Sequence, residues 1–462
     1  MKRATLLCLC LVLCSSTCFT ESTVMKSCEE LKTVAQLEQQ MKEENITEES
    51  VIDSDLLVLK EDASKSRSFD KPKCSSYVDW QSLEKFIREQ PFIEGRRQLG
   101  KLKFSGDVRT RWVYAKEKFK NKIPDPNEKL LPINRYRTDF NMLIDYRADQ
   151  TWLTSKMQWV ALAGANNVGS GVDIDRAFIG YRPVLFDRKD TDFFVEIGRS
   201  SLGDIFESEI EFNGTFDGIH LYYSQGLPGK KTGTFIMHGG PFVVDMTKKH
   251  YAWIAEAIVN ELPGGFCLKG NLIDWHSFDH SETAPTPPPP APKSKYEFLV
   301  GQILLSCERS VPFGKNTTKP LLLTGAALKN FLSRATPTTM HKKQDLAWYA
   351  GFTLGELKKA KDWRLSVYYE YVQALAIPEE DIAGIGHGNT LEFFFYEAIQ
   401  EGYDPADANG FGNYKGVSLC GTYCVAPGLL LQGKASFSQP AVAKIGDTFN
   451  YSRCEIGLIT AF

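Results

Sequence analysis

The sequence predicts an all-β protein, a transmembrane antiparallel β-barrel of about 16 to 18 strands with a short N-terminal extension. Three observations predict it: a series of segments with hydrophobic period two, aromatic residues near the ends of those segments, and a terminal strand that ends on Phe462. The formal net charge of −3 gives no overall basic field, so nucleic acid is not an expected partner.

The N-terminus predicts export. Met1, Lys2 and Arg3 are followed by an apolar run to Cys14 and then by small residues, the pattern of a signal peptide over residues 1–20. That run is too short to cross a bilayer as a helix, and no later stretch reaches the roughly 18 apolar residues that a spanning helix needs. Residues 21–99 are predicted to form a periplasmic extension and linker with short helices, and residues 100–462 the barrel.

The first two predicted strands alternate clearly. From Leu102 to Tyr114 the apolar positions include Phe104, Val108 and Trp112, with charged residues between them. From Arg135 to Ala148 aromatic and aliphatic residues again alternate with charged and polar ones. Such alternation predicts strands with one face in lipid and the other in water.

The series continues to the C-terminus. Further candidate strands are 151–163, 174–182, 192–199, 216–224, 232–237, 251–260, 266–275, 296–305, 321–328, 347–355, 363–373, 391–398, 414–423, 429–438 and 449–462. Short connections such as 356–362 alternate with long polar ones, including the proline-rich stretch 285–292, which cannot join a β-ladder. This asymmetry is typical of a barrel with short turns on one side of the membrane and long loops on the other.

The terminal strand predicts how the barrel closes. Counting back in twos from Phe462, one face carries Thr460, Leu458 and Ile456, while Glu455 lies on the other. An exposed edge at the C-terminus would be an aggregation hazard in a soluble protein, but pairing with the first strand would close a barrel. Phe462 would then lie in the interfacial aromatic belt.

A pair of soluble β-sandwiches could produce the same alternation. The aromatic residues favour the barrel, because a membrane-spanning strand carries them on its apolar face near the two interfaces. The residues that fit this belt are Trp112, Tyr114, Tyr136, Tyr146, Trp159, Tyr181, Tyr369 and Tyr371. Charged residues on the opposite face suit a water-filled lumen.

Four stretches resemble a known family. They are DRAFIGY (175–181), FDGI (216–219), AWYAGFTLG (347–355) and WRLSVYYEY (363–371), and they are similar to the carbohydrate-selective (OprB-like) porins of Gram-negative outer membranes. The resemblance covers residues 100–462 and implies a 16-stranded barrel for passive uptake of small hydrophilic solutes. Its chlamydial branch implies L-arginine delivered toward an inner-membrane exchanger, and porins by analogy imply trimers. The cysteine content and the 21–73 region depart from typical sugar porins.

Two charged groups are candidates for the selectivity filter of such a pore. The first is a basic ladder on the polar faces of the first two strands: Arg109, Arg111, Arg135, Arg137 and Arg147. The second is the acidic stretch after the strand ending at Arg199: Asp204, Glu207, Glu209 and Glu211. If the acidic stretch folds inward opposite the arginines, a transverse field would orient a zwitterion and favour a guanidinium near the carboxylates. The alternatives are an acidic external loop, and arginines that bind lipopolysaccharide or pair with Asp139 and Asp145.

No catalytic motif is present, so an enzyme is not predicted, and neither a cofactor nor a metal site is expected. The pair Cys420 and Cys424 lies in extended sequence, and His276 and His280 precede the proline-rich stretch, so both are interpreted structurally. The functional alternatives are a sugar-selective or general porin, an adhesin barrel without transport, and a secreted β-sandwich binding protein.

Overall fold

The structure is a computed structural model. It describes residues 93–97, 100–119, 133–162, 172–183, 191–227, 233–245, 250–277, 297–314, 317–335, 339, 341–378, 381–385, 412–443, 445 and 449–462. The predicted signal peptide and nearly all of the predicted extension lie outside these residues, as does the candidate strand 391–398. Among the described residues, no helix combines the length and the apolar character needed to cross a membrane.

Seventeen strands and one short helix are present in the described part of the chain. The strands are β1 (Ile93–Arg97), β2 (Gly100–Phe119), β3 (Ile133–Arg147), β4 (Thr151–Leu162), β5 (Val172–Tyr181), β6 (Thr191–Ser201), β7 (Thr215–Gly226), β8 (Thr234–Asp245), β9 (His250–Leu262), β10 (Phe266–Ser277), β11 (Glu297–Pro312), β12 (Thr318–Asn330), β13 (Leu346–Gly355), β14 (Trp363–Val372), β15 (Tyr414–Ala426), β16 (Leu429–Pro440) and β17 (Phe449–Ala461), and the helix α1 is Leu202–Ile205.

Strands β2 to β17 form a closed antiparallel barrel of 16 strands, which confirms the predicted fold class and excludes the two-sheet sandwich. Each strand pairs with the next along the chain, and β17 pairs with β2 from Phe449 opposite Phe119 to Ala461 opposite Asp107. Phe462 continues this closure, because its backbone and that of Gly106 exchange two hydrogen bonds of 3.0 Å. The predicted role of the terminal strand is therefore confirmed.

Strand β1 adds a short pairing outside the ring. Its residues pair with Gly100–Phe104 of β2, which precede the β2 residues that pair with β17. Strand β14, which ends at Val372, pairs directly with β15, which begins at Tyr414, so the barrel closes without a strand from 391–398.

The alternation predicted for the strands has the expected orientation. On β3, Tyr136 is 58% exposed on the outer face while Asp139 is fully buried on the inner face. On β17, Ile456 and Leu458 point outward and Glu455 inward. An outer surface of aliphatic and aromatic side chains around a polar interior is the arrangement that a bilayer requires of a barrel.

The connections also follow the predicted asymmetry. At the end of the barrel that holds Phe462, β3 and β4 are joined by residues 148–150, and β15 and β16 by Pro427 and Gly428 alone. At the other end the connections include 278–296 and 373–413. Short turns face the periplasm in such barrels, so the long loops are extracellular.

One predicted boundary was wrong in a way that matters for the lumen. The candidate strand 232–237 stops before Gly239, Gly240 and Pro241, but β8 continues through them to Asp245. Both glycines have φ between +150° and +160°, and a Cβ on Gly240 would lie 1.9 Å from the carbonyl oxygen of Ile219. The glycines therefore allow β8 to pass close to its neighbours where a residue with a side chain would clash.

Candidate functional site

The connection between β6 and β7 folds into the barrel. This constriction loop, residues 202–214, begins with α1 and contains the whole acidic stretch singled out in the sequence. Its apolar side chains Leu202, Phe206, Ile210 and Phe212 are fully buried and belong to the largest hydrophobic cluster of the described residues. The alternative of an external acidic loop facing water is therefore wrong.

Ion pairs and hydrogen bonds hold the constriction loop to the barrel wall. The Glu207 carboxylate pairs with the buried ammonium of Lys269 on β10. Ser208 donates to the side-chain carbonyl of Gln302 on β11 at 2.8 Å, and the Gln302 amide donates to the Glu207 carbonyl at 3.1 Å. These contacts fix the loop against β10 and β11.

A second part of the long connection after β14, residues 374–378 and 381–385, also folds inward. The Ala383 N–H donates to the Ile210 carbonyl, and the Asn213 N–H donates to the Asp381 carbonyl, each at 3.1 Å. The carboxylate of Glu370 on β14 accepts the Ile385 N–H at 2.9 Å. The two infolded segments therefore support one another, a contact for which the sequence carried no recognisable signal.

The four predicted acidic residues have different surroundings. Asp204 pairs with Arg176 of β5, and Glu207 pairs with Lys269. Glu209 lies near the phenols of the β13 and β14 tyrosines and is only partly buried. Glu211 is fully buried, and burial, with Asp381 and Glu256 nearby, raises the pKa of its carboxyl well above the ordinary value. Of the four, Asp204 and Glu209 are partly exposed, whereas Glu207 and Glu211 are buried.

The five arginines of the basic ladder occupy inward-facing positions on β2 and β3, where outer-leaflet lipid does not reach. Most have carboxylate partners on the same wall. The pairs are Arg109 with Asp107, Arg111 with Asp139 and with Glu455 (3.0 Å), Arg137 with Asp139 (2.5 Å) and Arg147 with Asp145 (3.2 Å). The expected alternative, pairing with Asp139 and Asp145, therefore describes three of them.

Arg135 differs from the rest of the ladder. Its nearest charged neighbours are Arg137, Arg453 and Arg111, and no carboxylate of the described residues lies within ion-pair distance of it. Among the described residues, the carboxylates that form ion pairs with these neighbours are Asp139 and Glu455. This part of the wall therefore carries excess positive charge.

The ring order places the Lys269 anchor of Glu207 across the lumen from the basic ladder. In a barrel of 16 strands, β10 is eight strands from β2 in either direction, so these strands face each other across the axis. The constriction loop is anchored to β10 and β11, whereas the arginines lie on β2 and β3. Carboxylates and arginines on different parts of the wall are what a transverse electric field across the lumen requires.

The structure also brings together a polar chain that the sequence interpretation missed. His220 of β7 and His238 of β8 lie 3.2 Å apart between the carboxylates of Glu196 and Glu256. The only histidine pair considered in the sequence was His276 and His280, because it is close along the chain. A signal was present, since adjacent antiparallel strands bring such residues together, but the predicted strand ended one residue before His238.

Comparisons with known proteins find similarity among solved structures only. No protein-family profile and no curated protein sequence matches the chain. Among solved structures, OprB of Pseudomonas putida is 12% identical with a TM-score of 0.48, covering 78% of this chain and 94% of its own. The outer membrane channel DcaP of Acinetobacter baumannii is 9% identical with a TM-score of 0.46, covering 79% and 99%. OmpF of Salmonella typhi in complex with daunomycin is 9% identical with a TM-score of 0.45, covering 80% and 100%.

These scores are low, so the fold assignment depends on the strand pairing of this chain itself. That pairing leaves no open edge in the ring, and the outer face is apolar between aromatic residues at its two rims. Tyr136, Trp348 and Tyr369 are exposed toward the extracellular rim, and Tyr181, Tyr423 and Phe462 toward the periplasmic rim. The chain is a multi-pass outer-membrane β-barrel.

Proposed function

We propose that the chain is an outer-membrane porin for passive uptake of small hydrophilic solutes, with a preference for cationic amino acids and L-arginine in particular. The observation that carries the proposal is the position of the constriction loop. Its partly exposed side chain Glu209 lies near tyrosines of β13 and β14, while Arg135 and its arginine neighbours lie on another part of the wall, on β3, β2 and β17.

The chemistry of L-arginine fits this arrangement. A guanidinium forms charge-assisted hydrogen bonds with a carboxylate such as Glu209, and an α-carboxylate forms them with an arginine such as Arg135. A solute that carries a cation at one end and a carboxylate at the other would therefore align with the field. A neutral sugar would gain nothing from the field, and an acidic amino acid would be disfavoured at the loop.

The test is solute flux through the purified protein reconstituted in liposomes, comparing L-arginine, L-glutamate and a neutral sugar of similar size. Flux is expected to favour L-arginine. Replacing Glu209→Gln should reduce the ratio of arginine flux to glutamate flux about fivefold, because one unit charge at 4 Å in water is worth about 1 kcal/mol. Glu207 is unsuitable for this test, since its loss would also release the loop from Lys269.

The matched control is Glu356→Gln, which removes a half-exposed carboxylate in the periplasmic turn between β13 and β14. The control should leave the flux ratio unchanged. Equal flux of all three solutes would point to a general porin, and preference for the sugar to a sugar-selective one. Absence of flux for every solute would overturn the porin proposal and favour an adhesin barrel.

A further inference from the structure

Four titratable side chains form a continuous chain across four consecutive strands on the inner face. Glu196 of β6 contacts His220 Nδ1 at 3.1 Å, His220 Nε2 contacts His238 Nδ1 at 3.2 Å, and His238 Nε2 contacts Glu256 at 2.8 Å. Both histidines and Glu256 are buried, and the indole of Trp152 donates to the other oxygen of Glu196 at 3.0 Å. Every ring nitrogen in this chain is therefore engaged.

With both carboxylates charged and both imidazoles neutral, the four side chains lack one of the hydrogens that their three contacts need. Three contacts need three hydrogens, but two neutral imidazoles between two carboxylates supply only two. One contact would then bring two lone pairs together. A third proton, carried by one imidazole or by one of the two carboxyl groups, completes all three hydrogen bonds. A fourth proton on the second imidazole would place two N–H groups opposite each other between His220 and His238, so the three contacts themselves hold three protons.

The constriction loop packs directly on this chain. The ring of Phe206 stacks on His238, with centroids 5.0 Å apart and planes 11° apart, and it meets His220 edge to face at 6.2 Å. Phe206 also contacts Phe212 and Phe242, and its side chain is fully buried. Any movement of the loop that displaces Phe206 would therefore remove its ring from both histidines.

The other charged groups around the chain come from every neighbouring element. The loop contributes Glu211, which interacts electrostatically with Glu256 and with Asp381 of the second infolded segment. β7 contributes the phenol of Tyr222, whose ring centroid is 6.1 Å from that of His238. Two neutralised ion pairs flank the group, Lys269 with Glu207 and Arg176 with Asp204. Apart from these two ion pairs, the groups named around the hydrogen-bonded side chains are two carboxyl groups and a phenol.

We propose that the His220–His238 pair positions the constriction loop and makes the conductance of the pore depend on pH, with the loop held inward when the chain takes up its third proton. This inference rests on the proposed porin function. It assigns to the two histidines and their two carboxylate neighbours a positioning role that is separate from solute selectivity.

The direction of the effect follows from proton binding. The inward state of the loop buries the hydrogen-bonded side chains and needs the third proton, whereas a loop that moves Phe206 away from His238 admits water that can satisfy the contacts. The inward state therefore binds more protons, so its stability is greatest at acid pH and is lost as pH rises through the titration of the chain. The raised pKa of Glu211 acts in the same direction, because its ionisation beside Glu256 and Asp381 would repel the loop.

The primary experiment is single-channel conductance of the full chain in planar bilayers from about pH 8 to about pH 5, the range in which histidines titrate. The wild type is expected to lose conductance several-fold on acidification. A conducting channel with a flat pH profile would overturn the inference alone. Absence of conductance at every pH would overturn the porin proposal and this inference with it.

Two isosteric variants make the test specific. Glu256→Gln supplies an amide N–H to His238, and Glu196→Gln supplies one to His220, so either completes the three hydrogen bonds without an added proton. Each variant should keep the low conductance of the acid state throughout the pH range. These substitutions lie at opposite ends of the row of four hydrogen-bonded side chains. The same flat, low conductance in both variants therefore cannot arise from one local contact.

A third variant tests the coupling to the loop. Phe206→Leu keeps an apolar side chain but removes the ring that stacks on His238, so it should conduct with a flattened pH profile. Glu356→Gln, far from the chain in a periplasmic turn, should reproduce the wild-type profile. An unchanged pH response in Glu256→Gln and Glu196→Gln would contradict the proton count and overturn the proposal.

Discussion

The two sides of the barrel wall use charge and apolar residues in opposite ways. On β2, β3 and β17 the inward face is a lattice of arginines and carboxylates, in which Arg147 keeps 39% of its side chain exposed. On β9 to β14 the inward face carries buried apolar side chains such as Trp275 and Leu304, and the two infolded segments cover it. The first side suits a wet path for solutes, and the second is a packed core that holds the constriction loop in place.

This difference means that packing, more than surface charge, holds the constriction loop in place. A loop held only by surface ion pairs would be weakly fixed, since exposed pairs contribute about 0 to 1 kcal/mol. The constriction loop instead buries Phe206, Ile210 and Phe212 in a continuous apolar cluster. Packing supplies rigidity on one side, which leaves the charges on the other side available for solutes.

The largest expected effect comes from breaking the buried anchor of the packed side. Lys269→Met leaves the Glu207 carboxylate buried without its cation, which should destabilise the protein by about 3 to 5 kcal/mol. Urea unfolding in detergent micelles, followed by tryptophan fluorescence, measures this loss. Arg147→Met is the matched control on the wet side, where an exposed pair should contribute about 0 to 1 kcal/mol.

A double variant separates the lost ion pair from lost packing. Lys269→Met combined with Glu207→Gln removes both charges, so it should recover part of the stability lost in Lys269→Met. Equal losses in Lys269→Met and Arg147→Met would show that the two sides of the wall do not differ as described.

The next effect concerns the apolar cluster. Ile210→Ala removes a fully buried side chain of the constriction loop and should cost about 2 to 5 kcal/mol through lost burial and the cavity left behind. Ile456→Ala, on the outer face of β17, is the control, because surrounding lipid or detergent fills the space. The same unfolding experiment compares the two. A larger loss of unfolding free energy for Ile456→Ala than for Ile210→Ala would show that the stabilising apolar contacts lie on the outer face and not around the constriction loop.

The smallest effect is expected on the wet side. Arg135→Gln removes a positive charge without an ion partner, so the ratio of arginine flux to glutamate flux should rise about twofold, because water screens a partly exposed charge. Lys359→Gln, in the periplasmic turn, should leave the ratio unchanged in the same liposome assay. A fall in the ratio for Arg135→Gln would mean that the arginines do not act on permeating anions.

The sequence predicts the barrel well where the two faces of a strand differ. On β3 and β17 polar and apolar residues alternate, so the strands, their orientation and the closure at Phe462 follow from period two. On β11 and β13 both faces are apolar, as Ile303 beside Leu304 and Trp348 beside Tyr349 illustrate. Alternation then marks a strand but does not say what covers its inner face.

The candidate site was predictable only in part for a similar reason. The acidic stretch 204–211 and the arginine ladder are visible as charges, but their ion partners depend on register between strands that are distant in sequence. Arg111 with Glu455 is such a pair, joined through the closure of β17 on β2. His238 was missed because Gly239, Gly240 and Pro241 resemble a strand end, although glycines there permit close approach.

The reversal potential of the reconstituted channel in a gradient of L-arginine hydrochloride tests whether the constriction loop makes the channel prefer cations. The acidic constriction loop predicts a potential of the sign set by the arginine cation, reduced toward zero by Glu209→Gln and unaffected by Glu356→Gln. A potential of the sign set by chloride would contradict cation preference. The arginines of the basic wall, and not the constriction loop, would then determine which ions pass.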